Sequence, residues 1–299
     1  MAVLSVDLAF RRWSDLGIVK LTRPHAALSS PRPDAGPGTR PGSRPGPPYD
    51  LRGLPDAFPG APPRQTMAGA GEPEQKPEPI RCEIVCWNET GPVDANILAG
   101  RLNHLCGVEG IRVLMLDGPQ AWKSSSNGLE FARVSERQLN TAAKTGLPGM
   151  VKPVTYRRFA EFCLDVYDAL CRRGWRRLET REQPGSPPER VVVESYPFAA
   201  WKSLGLKPLP AKRRSQVSDL AQAYGVLRSL IPFTVNRPPK HDQLQAIVGG
   251  LPGLALEERN TAGARIVGSP PRREEGHWRE GFIVLPVAPE KPAGSRWRD

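Results

Sequence analysis

The sequence predicts an α/β fold of one mixed sheet, an antiparallel hairpin of three strands extended by parallel strands, with flanking helices. Two observations predict it. Strand-like segments come first and then alternate with helical ones, and the strand that follows the first helix is a short apolar run of the kind buried on both faces.

The elements follow in order. Residues 2–9 alternate as a strand, and residues 17–21 form a second one after the turn-like Arg12-Trp13-Ser14-Asp15. A third strand covers 80–87. Pro92 stands near the start of a helix over 92–106, where Ile97, Leu98, Leu102 and Leu105 share one face. Residues 111–116 form a buried strand that ends at Asp117-Gly118-Pro119. Helical stretches cover 129–143 and 156–173, the second amphipathic through Phe159, Cys163, Val166, Tyr167 and Leu170. A strand over 190–194, helices over 216–231 and 242–251, and a last strand over 280–286 complete the set. This is the element order of the ribonuclease H fold, whose first strand is central and whose later strands join by crossover helices.

Between the second and third strands, residues 29–79 are dominated by Pro, Gly, Ala, Ser and Arg and show no apolar period. Such a composition cannot bury enough to order itself, so a disordered insertion is expected there. Residues 1–28 and 80–288 are then one domain, and 289–299 a flexible tail. The insertion's Arg32, Arg40, Arg44, Arg52, Arg64 and Lys76 are matched by Asp34, Asp50, Asp56, Glu72, Glu74 and Glu78. The formal charge of +11, from 42 Lys and Arg against 31 Asp and Glu, therefore belongs to the folded part, and its sign suits a polyanionic partner.

Five cysteines form an odd set. Cys82 and Cys86 lie in one strand, roughly 13 Å apart by strand rise, too far for a shared zinc or a disulfide. The cysteines read as reduced, mostly buried thiols of a cytoplasmic protein. The opening apolar residues carry Asp7 and lack a basic leader, which argues against a signal peptide, and no run has the length of a membrane span. Oligomeric state is not legible. P-loop, nucleophile-elbow and dinucleotide signatures are absent.

The chemistry is expected at four acids. Asp7 lies in Val3-Leu4-Ser5-Val6-Asp7, a segment otherwise suited to the middle of a sheet, where a carboxylate needs a partner or a metal. Asp117 ends one strand, Glu194 ends another, and Asp242 opens the helix over 242–251. In the predicted strand order the first three converge on one rim and repel each other unless a cation intervenes. An oxygen-only cluster of this kind suits Mg2+ or Mn2+, which activate water and stabilise a departing oxygen in phosphodiester hydrolysis. Each acid alone has an ordinary reading: Asp117-Gly118 is a turn opener, Asp242 with Gln245 is a capping box, and Asp7 pairs with an arginine.

At these residues the chain resembles the predicted ribonuclease H-fold nucleases grouped as domain of unknown function 429. The resemblance rests on Val3-Leu4-Ser5-Val6-Asp7, Leu116-Asp117-Gly118-Pro119, Val193-Glu194-Ser195-Tyr196-Pro197, His241-Asp242-Gln243-Leu244 and Trp278-Arg279-Glu280-Gly281-Phe282. It implies the fold and a metal-dependent nuclease, with Asp7, Asp117, Glu194 and Asp242 as ligands. Two departures stand out: Gln245 replaces the second acid that members often carry in the last helix, and the first interior helix offers only Asp94, at a capping position. They keep open a rival reading, an inactive module that binds nucleic acid or a protein. Lys123, Lys212 and Arg213 are the candidates for holding the nucleic-acid backbone, and Trp13 beside Arg11 and Arg12 for stacking on a base.

Replacing residues 29–79 by a short Gly/Ser turn is expected to leave the melting temperature nearly unchanged in a thermal melt. Loss of folding would mean that the insertion packs on the core.

Overall fold

The structure, a computed structural model, describes residues 1–24, 78–181 and 190–289. The expected insertion lies outside the described residues except for 78 and 79, as does the tail beyond 289.

Eleven strands and six helices run in chain order among the described residues. They open with β1 (Ala2–Asp7), β2 (Gly17–Thr22), β3 (Ile80–Val85), α1 (Ala95–Val108) and β4 (Val113–Asp117). Next come α2 (Val134–Leu139), β5 (Lys144–Thr145), β6 (Val151–Lys152), α3 (Arg157–Cys171), β7 (Arg176–Arg177) and β8 (Val191–Ser195). The chain closes with α4 (Pro197–Ser203), α5 (Val217–Leu230), β9 (Phe233–Val235), α6 (His241–Glu257), β10 (Ala264–Glu274) and β11 (His277–Pro286). The main sheet is ordered β10-β11-β8-β4-β1-β2-β3-β9, and β7 also pairs with β8. β1, β2 and β3 are antiparallel neighbours, whereas β4 and β8 run parallel to β1. The order and directions expected from the sequence are met.

Side chains alternate across the sheet with a period of two, which gives it two buried faces. Val3, Val19, Leu21, Met115 and Val193 meet Leu244, Ile247, Val248 and Leu251 of α6. Leu4, Val6, Ile18, Leu114, Leu116 and Val192 meet Leu98 and Leu102 of α1 and Val166, Tyr167 and Leu170 of α3. Asp94 caps α1, its carboxylate accepting from the Ile97 amide at 2.8 Å.

Three expectations need correction. The helix expected over 129–143 shrinks to α2, because polar groups of this segment are drawn into buried contacts: the Val134 amide donates to Glu280, and the Thr145 amide and hydroxyl donate to Glu136. Asn140, at φ 49°, ends it in the left-handed region. β10 went unread because Gly268, Pro270 and Pro271 look like breakers. It is an outer strand, and its prolines fall where the pairing with β11 slips between Ser269 and Arg272. Finally, α6 continues through Pro252 to Glu257 instead of stopping at 251.

The glycines of α6 explain its course. A Cβ at Gly250 would sit 2.6 Å from Leu21 and 2.7 Å from Ser5, and one at Gly253 would sit 2.8 Å from Met115. The helix lies so close to β1, β2 and β4 that a side chain does not fit. At its start the approach is closer still, since a Cβ on Gly17 would fall 2.1 Å from the Asp242 carbonyl oxygen. That clash is with backbone and no rotamer relieves it. Gly17→Ala is expected to destabilise the fold by about 2–3 kcal/mol, the upper part of the overpacking range, as read by urea denaturation.

Candidate metal centre

Asp7 and Asp117 are the last residues of two adjacent parallel strands and are register partners. Their side chains therefore leave the sheet on the same side, and buried side by side each disfavours the ionised form of the other. Burial and the charge of Asp117, then that of Asp242, push Asp7 well above the usual carboxylate range. Burial pushes Asp117 up to about 7, with Glu194 adding to the rise and the hydrogen bond from Asp7 opposing it.

The N-terminus of α6 completes the group. Gly17 is the antiparallel partner of Asp7, so the missing side chain that admits the Asp242 backbone lies directly beside Asp7. Ligating atoms of Asp7, His241 and Asp242 all fall within 4.8 Å of one another. His241 Nε2 lies 3.0 Å from the Pro210 carbonyl oxygen, which can only accept, so the ring proton belongs there. Nδ1 lies 3.1 Å from Asp242 Oδ1, a hydrogen-bond contact that keeps this ring nitrogen beside the acids. A carbonyl holding the far nitrogen is the usual support of a ligating imidazole. His241 escaped the sequence reading although it stands next to Asp242, because a lone histidine before a helix has no distinguishing period.

Lys212 occupies the outer side. Its ammonium contacts Asp242 and lies 2.9 Å from Asp15 Oδ1. Expected at the nucleic-acid backbone, it instead neutralises two acids. Lys123 also departs from its expected place, for it is buried and donates to the Ser124 carbonyl at 2.8 Å. Arg213 is exposed on the turn after α4, as a backbone contact requires.

Glu194 is the acid whose surroundings differ most from expectation. The register partner of Asp117 is Ser195, and Glu194 lies opposite Leu116. Both Glu194 oxygens accept from Arg133, at 2.7 Å each, and one also accepts from the Gln120 amide at 3.0 Å. Arg133 is itself buried and is shared with Glu136. Removing either member of such a pair leaves an uncompensated buried charge and costs about 3–5 kcal/mol. A cavity of about 70 Å3 separates Glu194 and Arg133 from Asp117, with Tyr156 and Tyr196 on its wall. Gln245 has a structural partner, accepting from the Trp201 indole at 2.8 Å.

The strand order β3-β2-β1-β4-β8, antiparallel and then parallel, with α1 and α3 on one face and α6 on the other, decides the fold. The fold is a mixed α/β sheet in the ribonuclease H-like strand order. No family model and no curated protein matches the sequence. Among solved structures it is similar to RuvC of Thermus thermophilus, at 10% identity and a TM-score of 0.34, over 87% of this chain and 96% of that one. Among the described residues no helix is long and apolar enough to cross a membrane. All five cysteines are free, with Cys82, Cys106 and Cys163 buried.

The raised carboxyls fix a pH dependence. With folded pKa values above the ordinary 3.8, the folded protein holds protons that the unfolded chain has released, so its stability falls as pH rises from about 4 through 7. In chelator, the melting temperature of the wild type is expected to drop more steeply between pH 5 and 8 than that of Asp7→Asn. Parallel curves would mean that burial does not raise these carboxyls.

Proposed function

We propose that this chain is a divalent-metal-dependent nuclease, hydrolysing phosphodiester bonds, of the group of predicted ribonuclease H-fold nucleases that its motifs resemble. One observation carries the reading: Asp7 and Asp117 end neighbouring strands in register, and α6 brings Asp242 and His241 within 4.8 Å of Asp7. Two carboxyls that cannot both ionise unaided are a poor structural choice at the centre of a sheet, and a good one for Mg2+ or Mn2+. The donor set fits a hard ion: Asp7, Asp117 and Asp242 supply oxygens and His241 a nitrogen, which suits Mn2+ somewhat better than Mg2+.

When bound, such an ion supplies charge neutralisation and an acidified water. The protein's own residues do the rest. Asp7 and Asp117 stand side by side as carboxylates for the ion, the Pro210 carbonyl orients the His241 ring through Nε2, and Glu194 holds Arg133 at the cavity wall next to Asp117. Arg213, which is exposed, is the candidate contact to a phosphate of the substrate backbone. Residues 1–28 with 80–288 serve as the catalytic domain and 29–79 as an insertion in it.

A second reading has an observation of its own. The Lys212 ammonium already contacts Asp242, and a resident lysine is what an acid cluster without a metal would recruit. On that reading the chain binds nucleic acid or a protein partner without cutting.

Titration with manganese in a thermal melt separates the two. The nuclease reading expects a rise of about 3–5 °C at a tenfold excess over Kd, no rise in Asp7→Asn, and Asp7→Asn more stable than wild type without metal. Manganese-dependent cleavage of a labelled DNA and RNA panel should vanish in the same variant. The second reading expects no shift in either protein and a loss of stability in Lys212→Met.

A further inference from the structure

We infer that the surface beside the two central aspartates is a stacking platform for unpaired bases, which makes the substrate class single-stranded nucleic acid. The inference rests on the nucleic-acid reading above and narrows it.

Phe10 follows Asp7 by three residues. Its ring lies 6.3 Å from Phe159 and 6.3 Å from Phe162 of α3, and Phe159 lies 5.4 Å from Tyr156. Tyr156 also borders the cavity of Asp117. A row of rings, Phe10, Phe159 and Tyr156, thus runs from the end of β1 to the edge of that cavity. Phe162 anchors the row from below, being buried, while the other three keep part of their surface in solvent. The α3 end of this row is held at the acids because Cys163 packs under Gly118, where a Cβ would come within 2.5 Å of its Sγ.

The guanidinium of Arg11, an exposed residue, lies over the Phe10 ring 5.6 Å from its centroid, so a base stacks there by displacing an exposed cation that is then free to meet a phosphate. Arg11 and Arg158, next in sequence to Phe10 and Phe159, are exposed, and neither has an ion-pair partner among the described residues. Arg157 joins them, although it pairs with Glu161. Trp13, expected to stack on a base, is unfit for it because it is buried. Rings flanked by unpaired cations match a strand whose bases are free, with bases on the rings and phosphates on the arginines. A closed duplex hides its base faces and leaves the rings unmatched.

The test is anisotropy of a labelled 15-nucleotide oligo(dT) and of a blunt duplex of equal length, in EDTA and at graded salt. Wild type is expected to bind the single strand at least tenfold tighter than the duplex. Phe10→Leu keeps apolar volume against Phe159 and Phe162 but removes the π face. It should weaken single-strand binding about tenfold and leave the salt slope unchanged. Arg158→Ala should instead reduce the log–log slope by about 0.7. If Phe10→Leu lowers the melting temperature, Tyr156→Leu makes the same test from the other end of the row. Equal affinity for the two nucleic acids, or stacking variants that bind like wild type, would overturn the inference. Because EDTA prevents metal-dependent turnover, a failed nuclease reading shows separately, as a missing manganese shift with single-strand preference intact.

Discussion

The constraint on which the rest depends is the in-register pairing of Asp7 with Asp117. Parallel β1 and β4 put two carboxyls side by side at the middle of the sheet, where burial already disfavours their charge. The surroundings answer this in stages. Gly17 clears the space beside Asp7 for the start of α6, and that helix brings an imidazole and a third carboxylate. Lys212 then balances the outermost acid. None of these features is economical by itself, and each makes sense as a response to a repulsion built into the strand register.

A second network sits one strand further out and works differently. Glu194, Arg133 and Glu136 are all buried, and their charges are satisfied by one another and by the amides of Gln120, Arg133 and Thr145. Glu280, also buried and at φ 61°, accepts from the amides of Ser124 and Val134 and from Asn127. Together these acids hold the segment between β4 and α3 against β8 and β11. The chain uses carboxylates for two purposes within one sheet, as cross-links where cations are at hand and as repelling neighbours where they are not.

Much of this was legible in the sequence. The strand order follows from apolar runs and their order, and Asp7, Asp117 and Asp242 stand out because an acid ending an apolar strand or opening a buried helix has few other uses. What escaped reading depends on contacts distant along the chain. Arg133 reaches Glu194 across 61 residues, so nothing local distinguishes Glu194 from a free ligand. Lys123 looks like a surface cation beside Asp117, and only the packing of β11 against its segment buries it. β10 and the last turns of α6 were hidden by proline and glycine, which signal breaks when exposed but here mark a strand slip and a close helix–sheet contact.

The glycine seats of α6 have one more consequence. With Gly250 over Leu21 and Ser5, Gly253 over Met115, and Gly17 under the first turn, the helix has no room to slide or roll on the sheet. If the proposed cation binds, the donors at the tip of α6 would stand on a helix seated against the sheet, with little room to retreat for a larger radius. Discrimination among ions of equal charge would then arise from how closely two backbones approach, at positions that carry no side chain, with the identity of the ligands playing the smaller part.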